Sequence, residues 1–166
     1  MKAIQFITGL LLVLVAGVFW GTWFSLSRTM HELPAAMFLA IRKEIMANVA
    51  LTMSIIMPAS VLCLLILLIG SWKTKNLYFY CVLAALVLFI TALIITVGIE
   101  VPIDNQIKIW TVAAMPADWQ GIRDRWEYYH TIRTFASLSA TAFFLIALIY
   151  HKPVVDQLKF HKRLPT

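Results

Sequence analysis

Apolar residues fill this chain in long runs, and charged residues interrupt them at only a few points. No Asp, Glu, Lys or Arg occurs in residues 3–27, 45–72, 76–99 or 134–151. An α-helix needs about 20 mostly apolar residues to cross a ~30 Å hydrocarbon core. The four runs therefore predict four transmembrane helices, at about 4–26, 45–69, 77–99 and 134–151. Apolar residues go right round each run instead of forming a single stripe, which favours spans over the half-buried helices of a soluble bundle. The first run has a basic start, as a signal peptide does, but its apolar core exceeds the about 7–15 residues of such a segment. Trp20, Trp23 and Phe24 stand where a small-residue cleavage site would be, so the run reads as a retained helix.

Three connections follow. Residues 28–44 are short and mixed, with Pro34 as a breaker, and residues 71–76 make a tight turn. Residues 100–133 are longer than the about 12–15 residues beyond which a loop usually has structure or function of its own. Pro102 interrupts the start of this segment. Pro116 is suited to the first turn of a helix, and Asp118 lies where the helix dipole favours an acidic group. Trp119, Ile122, Trp126, Tyr129, His130 and Arg133 then fall on one helical face. Nothing breaks this pattern before Pro153. The expectation is an all-α integral membrane four-helix bundle, one domain over 1–166, with a long, partly helical extramembrane segment at 100–133. A kink is expected at Pro58. Trp20, Trp23, Trp72, Trp110 and Tyr78 stand at the run ends, as an aromatic belt does.

Composition supports the pattern. Hydrophobic residues make up 61% of the chain and charged residues 13%, against roughly 25% charged in soluble domains. Cys63 and Cys81 both fall inside spans and read as small apolar fillers. The net charge is +6. Four spans put both termini on one side with the 71–76 turn. That side carries seven basic residues (Lys2, Lys73, Lys75, Lys152, Lys159, Lys162 and Arg163) against Asp156 alone. The opposite side carries equal numbers of each sign. Lys and Arg counts tie, but the short turn and the basic tail favour cytoplasmic termini, with 100–133 on the other side. The basic tail reads as a lipid-surface contact, not a nucleic-acid site.

Polar residues gather at the long-loop end. Thr22 and Ser25 come from the first run, Asn48 and Thr52 from the second, Thr96 and Glu100 from the third, and His130 and Arg133 from the fourth, while the loop adds Asp104 and Asn105. Polar groups at membrane depth must find partners or line a cavity, so a pocket is expected at this mouth of the bundle. Trp126, His130 and Arg133 share a face. Histidine can act as a general base, a guanidinium can hold an oxyanion, and Trp126 with Tyr129 can stack on a flat ligand. The competing reading is a structural network in which Arg133 pairs with Glu100 and His130 bonds between helices. His31, His130 and the methionines Met30, Met37, Met46, Met53 and Met57 have ligand chemistry suited to copper, and His130 is the axial candidate for a haem, but no compact metal motif is present.

Two stretches carry a resemblance. Pro102-Ile103-Asp104-Asn105-Gln106 with Trp110, and Arg125-Trp126-Glu127-Tyr128-Tyr129-His130-Thr131-Ile132-Arg133-Thr134, resemble signatures of a small four-helix membrane family that includes the fungal anthrone oxygenases. Asp104, between Ile103 and Asn105, departs from that pattern. The resemblance implies oxidation of a lipophilic aromatic or quinone-like substrate by O2, with no metal or flavin cofactor. It implies His130 as the base and Arg133 with Asn105 as oxyanion holders, Trp126 stacking on the substrate. Glu100, Asn48 and Tyr129 complete the expected substrate-binding set. Two other functions remain open at this stage: a non-catalytic membrane ligand-binding or assembly subunit, and a metal- or haem-binding electron-transfer subunit. Partners are the bilayer, the lipophilic substrate and O2, with homo-oligomerisation left open.

Overall fold

A computed structural model describes residues 2–150. The expected end of the fourth span at His151, the break at Pro153 and the basic tail lie outside these residues. The described chain is helical, with no strand. Helix α1 covers Lys2–Ser25, the short α2 Ser27–Met30, and α3 Ala35–Ser71. Helix α4 covers Leu77–Ile95 and passes through a π turn, Thr96–Glu100, directly into α5, Val101–Ile109. A 3₁₀ turn at Val112–Ala114 leads to α6, Trp119–Ile149. Four helical rods are long and apolar enough to cross a membrane: α1, α3, α4 continued through α5, and α6. The chain is thus a multi-pass membrane protein of the all-α bundle class.

The rods reach further at the long-loop end than the uncharged runs do. Helix α3 begins at Ala35, not near residue 45, because Pro34 ends the preceding connection and its carbonyl accepts from the Met37 and Phe38 N–H groups at 3.0 Å. Arg42, Lys43 and Glu44 therefore lie on the helix. Pro102 does not interrupt the third rod. A proline ring clashes with the carbonyl four residues back and supplies no N–H. Here the chain widens instead, and the Val101 N–H bonds the Thr96 carbonyl five residues back. The extra residue in this turn relieves the clash and lets the rod continue to Ile109. Helix α6 starts at Trp119, slightly later than Pro116. The turn before α4 has Lys75 at φ 41°, a region few non-glycine residues adopt. Asn76 then caps the helix by accepting from the Phe79 N–H at 3.1 Å.

Two apolar clusters fill the interior. One lies within the bundle and includes Leu12, Val15, Phe19, Met57, Leu64, Phe89 and Phe144. The other lies at the long-loop end and includes Met30, Phe38, Met46, Ile103, Ile107, Trp110 and Trp126. Of the aromatic-belt candidates, Trp20 and Trp72 are exposed as expected, whereas Tyr78 and Trp110 are buried. Both of these buried residues have polar partners inside the protein: Gln5 Nε2 donates to the Tyr78 hydroxyl at 3.1 Å, and Lys43 Nζ donates to the Trp110 carbonyl at 2.7 Å.

Candidate active site

A buried polar layer involves both apolar clusters. It is assembled by the π turn and the first half of α6. Trp126, His130 and Arg133 recur at i, i+4 and i+7, so one face of α6 presents all three. The π turn brings Glu100 inward, where it is only 1% exposed and forms an ion pair with Arg133. Arg133 Nη1 donates to Thr96 Oγ1 at 3.0 Å and its Nε donates to His130 Nδ1 at 3.1 Å. Its guanidinium lies 4.2 Å from the Phe19 ring centroid. Three of the four rods thus meet at Arg133.

This bonding fixes the tautomer of His130. A guanidinium donates and never accepts. The Nδ1 lone pair of His130 is therefore the acceptor, and the ring proton of the neutral imidazole sits on Nε2. The His130 ring stacks on Trp126, with centroids 4.5 Å apart and planes at 15°. Arg42, from α3, lies over the same indole at 3.7 Å and donates to Asp104 of α5.

Beside this layer lies a cavity of about 310 Å³, at the lower end of the range for small-molecule sites. Its polar end is lined by Arg42, Asp104, Asn105, Trp126, His130 and Arg133. Its apolar end runs along Met53, Met57, Leu93 and Val18. Trp126 Nε1, a buried N–H donor, has no hydrogen-bond partner within the described protein, and His130 Nε2 makes no well-formed hydrogen bond there, its imidazole interacting only weakly with the Phe19 backbone. Such groups are costly to bury unless something accepts from them.

The structure brings together His130, Arg133, Trp126 and Glu100, although Glu100 stands behind Arg133 and does not line the cavity. Asn105 lines the cavity from its exposed edge, where its Oδ1 accepts from Lys108 Nζ at 3.3 Å. Asn48 is exposed on α3 and lies off the cavity. Tyr129 also lies off it, half-buried with its ring against Tyr128. His31 pairs with Glu127 in a separate hollow beside Trp20 and Trp23. Sequence reasoning missed Arg42, which it placed in a connection, and gave Asp104 no role. A signal for Arg42 was present: Arg42, Met46, Val49, Met53 and Met57 continue one helical stripe.

A sequence model of the anthrone oxygenase family matches residues 43–143, well over half of the chain and a stretch that includes both signatures and almost all of the polar layer. No curated protein and no solved structure gives a match. On the strength of the family match, the chain belongs to the anthrone oxygenase family.

Proposed function

We propose that this protein is a membrane oxygenase that oxidises an anthrone-type ketone in the cavity with O2. The observation that carries the reading is the unpaired N–H donor Trp126 Nε1 beside the weakly bonded Nε2 of His130, on residues that line a largely apolar cavity. Donors of this kind suit a ketone oxygen that becomes an oxyanion as a C–H proton is lost. His130 then holds the oxygen and is not the base, because Arg133 engages its lone pair. Arg133 acts as a positioning residue that fixes the imidazole. The base is Asp104, which alone among the described cavity-lining residues carries a carboxylate; Arg42 engages its Oδ1, and Oδ2 takes the proton.

The chemistry balances. Asp104 takes a proton from the activated CH₂ group, leaving an enolate whose oxygen the two N–H groups hold. The enolate carbon passes an electron to O2, and the resulting radical pair joins to form a C–O bond. The proton on Asp104 returns to the peroxide. Loss of the remaining C–H proton with cleavage of the O–O bond gives the second carbonyl and one water. The substrate itself is the reductant.

The test is oxygen uptake by detergent-purified protein with anthrone, measured against a protein-free blank. Oxygen and anthrone are expected to be consumed in equal amounts as anthraquinone forms. Asp104→Asn should lower the rate by about 10²–10⁴-fold, and His130→Ala by about 10²–10³-fold, with both variants eluting as folded protein. Uptake no faster than the blank, or uptake that neither substitution changes, overturns the reading.

A further inference from the structure

We infer that the cavity is a slot open to the bilayer, and that it takes an amphiphile lengthwise. The oxygen-bearing head of the ligand meets His130 and Trp126, and its apolar body extends toward Pro58 between α3 and α4. The inference rests on the proposed use of the same cavity and adds the route of entry and the class of substrate.

Two rows of exposed residues border the cavity. On α3 they are Ala50, Ser54 and Pro58, and on α4–α5 they are Val97, Val101 and Asn105. Each row advances by one helical turn per residue, so each is the edge of a helix face. Exposed residues on both sides of a lined cavity mean an opening between them. Ala50, Ser54, Pro58 and Val97 all lie within the uncharged runs, so that part of the opening faces hydrocarbon and not water. The slot also has direction. Charged and N–H-bearing groups occupy one end and thioethers and aliphatic groups the other. Pro58 has no N–H, so the Ser54 carbonyl lacks its usual helical donor and leaves one polar group partway along the α3 edge. A wholly apolar ligand would leave the Trp126 Nε1 donor unpaired. A wholly polar one would not enter from hydrocarbon. An amphiphile with an acceptor oxygen at one end satisfies both.

The test uses the full chain in lipid nanodiscs and two photoreactive alkylphenols. One has its diazirine beside the ring, the other at the chain tip. The ring-side probe is expected to label Met46, Trp126 or His130, and the tip probe residues 53–58 or 93–97. Ala50→Trp with Val97→Trp, which narrows the opening from both sides, should lower both signals by about tenfold. Leu51→Trp and Ile94→Trp, at exposed positions outside the cavity lining, should lower neither. Labelling spread over the exposed faces of all four rods, or unchanged in the narrowed variant, means annular lipid only and overturns the slot. Interchange of the two label positions overturns the orientation. Anthrone-driven oxygen uptake in the same nanodiscs separates the two ideas. Expected labelling without uptake removes the oxygenase and keeps the slot, whereas full uptake in the narrowed variant removes the slot and keeps the oxygenase.

Discussion

The seam between α4 and α6 and the seam between α3 and α4 solve the same packing problem in opposite ways. Lipid offers no hydrophobic gain for helix association, so close van der Waals contact must supply it. Helices α4 and α6 make the most extensive contact in the bundle. Both bring small residues that are fully buried: Ala85 and Ala92 from α4, Ala140, Ala147 and Ser137 from α6. Helix α3 instead faces α4 with Met46, Met53, Met57 and Pro58, and the cavity remains between them. Methionine fills irregular space with a flexible chain. One seam is built to close and the other to stay open. The buried ionic layer sits where they diverge, anchored to the closed seam through Arg133 and to the open one through Arg42 and Asp104.

The largest expected break comes at that junction. Arg133→Met leaves Glu100 as an uncompensated buried charge and should cost about 3–5 kcal/mol. Reversible unfolding in mixed detergent measures this, and adding Glu100→Gln should recover much of the loss. Next is the closed seam: Ala92→Leu or Ala140→Leu overpacks two helices already in contact, with an expected loss of about 1–3 kcal/mol in the same assay. Thr96→Val removes the hydroxyl that accepts from Arg133 Nη1 and should cost about 1 kcal/mol. The smallest effect is expected at the open seam. Ala50→Leu or Val97→Leu should change stability by less than about 0.5 kcal/mol, because these exposed positions have room. If Ala50→Leu proves as costly as Ala92→Leu, the two seams are equally tight and the contrast fails.

Much of the site was legible because it lies on one helix. Trp126, His130 and Arg133 are brought to one face by helical periodicity alone, and the pairing of Glu100 with Arg133 was expected in the competing, structural reading of the same cluster. Arg42 was not legible as a site residue. It fell in the connection before the second uncharged run, yet the helix begins earlier and carries it inward to Asp104. Asn48 and Tyr129 fall at the same bundle end by count but face away from the cavity, since nearness to a helix end does not fix rotation about the helix axis.

The sequence by itself determined that four apolar rods cross a membrane, that polar chemistry gathers at one end, and which family signatures lie there. Those properties depend on local periodicity and on the exclusion of charge from hydrocarbon. Only the tertiary structure decided that Pro102 is absorbed in a π turn, that Arg133 engages the lone pair of His130, and that the space between α3 and α4 stays open. The first two depend on hydrogen bonding within one rod that residue spacing does not specify, and the third on which side chains meet across different helices.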